Sequence, residues 1–515
     1  MKVFSKKTGV GFLVFLCVAV AVCAFERSCI AQNSSEKIRL QRDDWAPDVK
    51  AALNELIERY GKDGSDRDSN AYAVFDFDNT SAIFDVEEQL IVYQLETLSF
   101  AIPPEKLRGV LLTGLPDPDA DLTKYGYMRG SYNDLFADIS DAYSVLWEKY
   151  GPLTPNGVSE NRLGELHNDP YWREFAAKMR MSYDLVCDVE VREISYPWII
   201  YWFTGMTGSE VYAMTKKSCE KYGQVETSAV EWTSPREMKS RVGQVSVEWT
   251  SGLSVSANVK ELWRSLSSNG IDVWVCSASA TDAICAAVDV FGLREYCKGI
   301  VAMTVKLDSE GRYLNEYDYS TGAGYYRGDD GAWDKMTRSE KAQTEGLGKS
   351  LAVINAIAPE YGGKGPIAGF MDSSGDFNFC TEFKSLKAVV CFNRANRKLT
   401  DGGALIAAVA LYERDALGYD LRKANESGDV LFLLQGRDEN GRRALRASSA
   451  TLRLGSDKEK TFANDDVEAL YDYIRDNKLT VKEALDTFAL KRSAKENAFG
   501  AASGWLDEYQ GYRSR

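Results

Sequence analysis

Asp76 and Asp78 close the run Ala71-Tyr-Ala-Val-Phe-Asp-Phe-Asp78, an apolar stretch too short for a helix and read as a buried strand. Positions i and i+2 of a strand point to the same side, so both carboxylates can share one crevice. Open parallel sheets bind their ligands just beyond the carboxyl ends of strands. Two such carboxylates repel unless a cation neutralises them, and Mg²⁺, a hard cation with oxygen ligands, fits best. The same Asp and Asn types also serve a plain strand-end turn. Three later features narrow the choice. Ser277 follows the apolar run Val273-Trp-Val-Cys276 and precedes a helix, where its hydroxyl and the next amides can hold a phosphate. Lys349 opens a helix, where a cation does not offset the dipole and is better aimed at an anion. Asp372 and Asp376 follow another apolar run and add metal-binding oxygens.

What the composition excludes agrees with this. Among 515 residues there is a single histidine, His167, which rules out a multi-histidine metal centre or a histidine-relay phosphatase. The formal net charge of −14 argues against nucleic acid as a partner. The ten cysteines show no CxxC spacing, which argues against zinc.

The elements that must position these residues follow from patterning. Lys2, Lys6 and Lys7 precede an uncharged stretch, Gly9 to Phe25, which reads as a secretory signal cut after Ala24 or Ala31. Retention of this segment, or lipidation at Cys23 or Cys29, is the alternative, and only then is a membrane a partner. A helix is expected over Val49–Tyr60, with a solvated loop, Gly61–Asn70, after it. Residues 86–260 read as aromatic-rich helices, followed by a ribbon whose strands contain Val230-Glu-Trp-Thr-Ser234 and Val247-Glu-Trp-Thr-Ser251. From Val259 onward strands alternate with helices: strands at Ile271–Cys276, Pro366–Met371 and Lys387–Phe392, and a helix from Lys349 to about Ile357. This rhythm predicts a mainly parallel sheet with helices on both faces. A hairpin is expected from Val430–Gln435 and the turn Asp438-Glu-Asn-Gly441.

Asp76-Phe-Asp-Asn-Thr80, Ser277, Lys349 and Asp372…Asp376 resemble, in order, the four motifs of the haloacid dehalogenase-like phosphatases. The longer phrase from Asp76 to Glu88, Gly205-Met-Thr207 with Glu210, Asn269 to Ser279, and Leu434-Gln-Gly-Arg-Asp438 are similar to the phosphorylcholine phosphatase branch. The resemblance implies a Rossmann-like α/β fold with a large, mostly helical cap inserted after the first strand. The implied division is 1–31 signal, 32–85 and 261–395 core, 86–260 cap, and 396–515 a C-terminal extension packed on the core.

By the same resemblance Asp76 is the nucleophile, forming an aspartyl-phosphate, and Asp78 is the acid and base. Thr80 and Ser277 hold phosphate oxygens, and Lys349 offsets charge. Asp76, the Asp78 carbonyl, Asp372 and Asp376 hold Mg²⁺. Met371 departs from the glycine usual before the metal aspartate, which would narrow the site. For a choline leaving group, cap aromatics with Asp85, Glu87 or Glu88 would form a cationic cage, Asp85 being the best single candidate. Glu87 and Glu88 also fit an ordinary acidic first helical turn. The expected activity is an exported Mg²⁺-dependent phosphomonoesterase acting on a small phosphomonoester such as phosphocholine. The alternatives are a broad-specificity phosphatase or phosphotransferase, and a non-catalytic surface-binding protein on the same scaffold.

Overall fold

A computed structural model describes residues 38–67, 70–318, 324–327, 333–335, 343–399, 401–441 and 443–489. The expected signal segment 1–31 and Asp68 of the 61–70 loop lie outside the described residues.

The strand expected to end in the aspartate pair is β1 (Tyr72–Phe75). After it come β2 (Ser228–Thr233) and β3 (Ser246–Ser251), then β4 (Asp272–Ala280), β5 (Cys297–Met303), β6 (Val305–Leu307) and β7 (Tyr313–Tyr317). β8 (Gly324–Arg327), β9 (Trp333–Lys335), β10 (Ala368–Met371), β11 (Ala388–Phe392) and β12 (Leu431–Gln435) follow. Four two-residue strands come last: β13 (Arg437–Asp438), β14 (Ala444–Leu445), β15 (Thr451–Leu452) and β16 (Glu459–Lys460). The main sheet has eight strands in the order β12-β11-β10-β1-β4-β5-β8-β9. Every pairing from β12 to β5 is parallel, and β8 and β9 add an antiparallel edge. The fold is the α/β, mainly parallel sheet that the alternation predicts.

Alternation along the strands separates two cores. Ala73, Phe75, Val273 and Val275 face one side, under helices Pro47–Tyr60 and Ala257–Ser268. Tyr72, Val74, Trp274 and Cys276 face the other, under the segment 347–357 and helix Gly402–Tyr412. Between β1 and β4 the chain makes long helices, including Val86–Thr97, Tyr132–Tyr150 and Pro170–Val189, around a third cluster. The two Val-Glu-Trp-Thr-Ser repeats pair as the expected ribbon, β2 against β3, with Trp232 opposite Val247. Most cap aromatics are core: Tyr132, Tyr143, Trp198 and Trp202 are each at most 1% exposed.

The structure corrects three expectations. The strand predicted to stop at Cys276 continues to Ala280, directly up to the helix that begins at Thr281, where one was expected. Leu431–Gln435 is not a hairpin arm; all five of its residues are buried, and it is the edge strand of the main sheet, parallel to β11. The turn at 438–441 instead joins β13 to β14. The stretch expected as a C-terminal extension therefore supplies a strand of the central sheet. Cys219, Cys285, Cys380 and Cys391 are buried thiols. Among the described residues no helix is long and apolar enough to cross a membrane.

Candidate active site

Strand register assembles the site. Phe75 lies opposite both Phe370 of β10 and Val275 of β4. Asp76 and Asp372 thus leave two adjacent strands, beside residues 277–279 of the longer β4, at one edge of the sheet. The Asp76 amide donates to Phe370 O (3.0 Å), carrying the pairing one residue further. The chain then turns through Phe77–Ser81, where Ala82 N donates to Phe77 O (2.8 Å) and Ser81 Oγ to Asp76 O (2.7 Å). Asn79 has φ +62°, a left-handed conformation that asparagine accepts at lower cost than most residues.

Beneath this turn Lys349 Nζ donates to Asp76 Oδ1 and to Asp376 Oδ1, both at 2.6 Å, with all three side chains buried. Asp376 Oδ2 accepts from the Asp372 amide (3.3 Å). One carboxylate oxygen each from Asp76, Asp372 and Asp376 lies within 4.8 Å of the others. Burial pushes the Asp76 carboxyl up, with Lys349 opposing and Asp372 adding to the rise. Asp376 is pushed well up by burial and then by Asp76. Asp372 behaves differently: burial would raise it, but Arg397 and Arg394 hold it below the usual carboxylate range. Their guanidiniums donate to Asp372 Oδ2 at 3.0 and 3.1 Å. The three residues fit a hard divalent cation: the donors are all carboxylate oxygens, they are buried, and their mutual repulsion is what such an ion relieves.

Asp78 sits above them. Its Oδ1 accepts from the Val86 amide (2.7 Å) and its Oδ2 from Ser279 Oγ (2.6 Å). Burial, then the Asp76 charge, pushes its pKa up to about 7, against the opposing Ser279 bond. Thr80 Oγ1 is buried without a hydrogen-bond partner, a donor ready for an oxyanion. Ser277 is fully buried, and its Oγ accepts from the Ser279 amide (3.2 Å). With the helix starting at Thr281, Ser277 does not stand at a helix N-terminus; Ala278 and Ser279 line the cavity instead.

The cavity over the carboxylates measures about 660 Å³. Helices Pro170–Val189 and Arg192–Ile200 close it with Tyr183, Cys187, Tyr196 and Ile199. Of the many cap aromatics, Tyr183 and Tyr196 are those that face it. Asp85 lines it too while capping helix Val86–Thr97 through the Glu88 amide (2.9 Å), so it serves as cap and wall together. Burial, then Asp78 and Glu88, pushes Asp85 well up. Arg192 docks the cap onto the core, pairing with Glu345 and donating to Ser374 Oγ (2.8 Å). Met371 does not narrow the site: it is buried among the apolar side chains of the opposite sheet face.

Ser279, Arg394 and Arg397 escaped sequence reasoning. For Ser279 a signal existed, the two-residue step from Ser277 along a strand. The arginines carried none, since their place depends on β11 lying beside β10.

Asp76 and Asp78, Lys349, and Asp372 and Asp376, from three separated motifs, thus line one pocket, with Ala278 and Ser279 there in place of Ser277. The chain is similar to the haloacid dehalogenase-like phosphatases. Phosphorylcholine phosphatase of Pseudomonas aeruginosa is 25% identical over 299 residues, 58% of this chain and 62% of that protein. The match therefore spans less than two thirds of the relative's length. A functionally unknown protein from Anaerococcus prevotii DSM 20548 has a TM-score of 0.62 and 24% identity, covering 81% of this chain and 99% of that one. It shows that the fold is shared. A phosphoserine phosphohydrolase-like protein from Francisella tularensis reaches a TM-score of only 0.24 at 13% identity, over 62% of this chain and 87% of that one. No family model matches the chain.

Proposed function

We propose that this protein is an exported, Mg²⁺-dependent phosphomonoesterase that works through an aspartyl-phosphate and accepts phosphocholine. The observation that carries the reading is the Lys349 ammonium bridging Asp76 and Asp376 at 2.6 Å, with Asp372 in the same cluster and Asp78 above it. Export rests on the basic and apolar N-terminal segment. Phosphocholine rests on the likeness to phosphorylcholine phosphatase and on a pocket wall that combines Tyr183 and Tyr196 with Asp85 and Glu88.

Asp76, Asp372 and Asp376 would hold Mg²⁺, which when bound would neutralise charge on the phosphoryl oxygens. The side chains do the rest. The Lys349 ammonium favours the carboxylate form of Asp76, which attacks phosphorus while the ester P–O bond breaks. Asp78, whose pKa of about 7 leaves it partly protonated at neutral pH, gives its proton to the departing alkoxide. The resulting Asp78 carboxylate then takes a proton from water, whose oxygen attacks the acyl phosphate; inorganic phosphate leaves and Asp76 is regenerated. Thr80 Oγ1 donates to a phosphate oxygen. The cap keeps bulk water from the intermediate.

Phosphate release from phosphocholine, phosphoethanolamine and phosphoserine tests the reading. Activity should need Mg²⁺, vanish on chelation, and fall on the order of 10³-fold or more in Asp76→Asn. Undiminished turnover in Asp76→Asn rejects the mechanism. Equal turnover of the three esters rejects the choline assignment alone.

A further inference from the structure

We propose that Arg437, contributed by the C-terminal part of the chain, is a positioning residue of the catalytic turn, holding the Asn79 carbonyl so that Asp78 is aimed at the leaving group. The inference rests on the phosphatase reading above for the role of Asp78, and goes beyond it by assigning the C-terminal segment a part in that role.

The side chain is only 1% exposed. Its Nη1 donates to Asn79 O (2.7 Å) and its Nη2 to Asn79 Oδ1 (3.3 Å). Nε and Nη2 both donate to Glu439 Oε1, at 3.0 and 2.7 Å. Glu439 is braced in turn by Arg453 Nε (3.2 Å) and the Leu454 amide (3.3 Å). The Arg437 backbone is fixed as well: its amide donates to Thr451 Oγ1 (3.2 Å). Just before it, Gly436 packs so closely that a Cβ there would lie 2.0 Å from Ala450 O. A rigid platform, built from the small sheet that follows β12, thus presents one planar guanidinium to one backbone carbonyl.

That carbonyl belongs to the residue between Asp78 and Thr80. Asn79 is held at φ +62°, and the other backbone bonds of the turn are short-range, from Asn79 N to Phe84 O (3.0 Å) and from Ala82 N to Phe77 O (2.8 Å), while the Asp78 carboxylate is held by Ser279 and the Val86 amide. Burying an ion pair is at best neutral for stability, so a fully buried arginine that spends donors on a strained turn is better explained by geometry than by folding energy. Arginine suits the task because its fork fixes two directions at once, which the single point charge of lysine does not.

The test is Arg437→Lys, assayed with an alkyl phosphate and with p-nitrophenyl phosphate in Mg²⁺. Alkoxide needs the Asp78 proton to leave, and p-nitrophenolate hardly does. We expect kcat/KM, which reads departure of the leaving group and not the hydrolysis step that both esters share, to fall ~10²-fold on the alkyl ester but only ~10-fold on the aryl ester, with KM within about threefold. Equal losses on both esters, or a loss in KM alone, overturn the proposal. Hydrogen–deuterium exchange supplies an arm independent of catalysis: the peptide covering 77–84 should exchange ~10-fold faster in the variant, with the rest of the chain unchanged. Unchanged exchange there overturns it too. A wild type that hydrolyses neither ester sinks the phosphatase reading, and exchange still decides the role of Arg437. If Arg437→Lys does not fold, Glu439→Gln replaces it, loosening the guanidinium without removing it. The same ester-dependent loss is expected in smaller degree, and wild-type kinetics and exchange refute the assignment.

Discussion

At the scale of single residues, Glu87 joins helix Val86–Thr97 to the end of β4. It is 6% exposed, and its Oε1 accepts from the Ala280 amide (3.0 Å). Burial pushes its pKa up to about 8, the Ala280 bond opposing and Asp85 adding to the rise. A raised carboxyl stabilises the fold while it is protonated. That stability is fully present below the ordinary value of 4.5 and is lost as pH climbs to about 8. Glu87→Gln keeps the acceptor and cannot ionise. Its melting temperature should match wild type near pH 4.5 and exceed it above about pH 8, by on the order of 2 kcal/mol in stability. A mutant that melts lower at both pH values would show that Glu87 is buried as a paired anion. Residues such as Asp76, Lys349 and Asp372 were legible in the sequence because each sits beside an apolar run or a helix start, where position alone limits what a polar side chain can do. Arg394 and Arg397 were not, because an arginine in a polar loop carries no periodic signal, and only the strand order β12-β11-β10-β1 brings them to the pocket.

Among the elements, the cap shows how burial decides which residues build and which bind. Asp138, on helix Tyr132–Tyr150, accepts from Lys178 Nζ (2.9 Å) on helix Pro170–Val189. It also accepts from the amides of Arg241 (3.0 Å) and Val242 (3.1 Å) in the segment before β3. Lys178 is fully buried and also pairs with Glu174. One carboxylate therefore ties two helices and the ribbon. Asp138→Ala should lower stability by about 3 kcal/mol in urea unfolding, since it strips a buried ammonium of one of its two carboxylates and leaves two amides without this acceptor. Burial raises the Asp138 pKa, but the Arg241 amide, Lys178 and the Val242 amide outweigh it and hold the carboxyl below its ordinary 3.8. A lowered carboxyl contributes above that value and loses its contribution as pH falls past it, so the gap between mutant and wild type should narrow in acid. The helical character of this region and the paired Val-Glu-Trp-Thr-Ser repeats were legible from periodicity. Which rings face the pocket was not: Tyr183 and Tyr196 differ from Tyr143 only in which side of their helix lies over the sheet, and that is set by packing between helices.

For the molecule as a whole, the decisive question is what residues 396–515 contribute. The sequence reading made them an extension packed on the core, although Leu434-Gln-Gly-Arg-Asp438 within them belongs to the resemblance. The structure gives them the edge strand β12, in register with β11 from Ala388↔Leu431 to Phe392↔Gln435. It also gives them helix Gly402–Tyr412, buried on every residue, which covers one face of the sheet. Ile474 and Ala484, from two later helices, are fully buried over the same face. A chain ending at residue 395 would bare a parallel, wholly apolar strand edge and the side chains of Val389 and Cys391 beneath that helix. It should lose cooperative unfolding and collect as aggregate, measured by near-ultraviolet circular dichroism and size-exclusion chromatography. A soluble, cooperatively folding 395-residue form would mean that the sheet is complete without β12. The turn carrying Asp78 would then lack Arg437, and any activity such a form retained would have to come from a catalytic loop that holds its own shape.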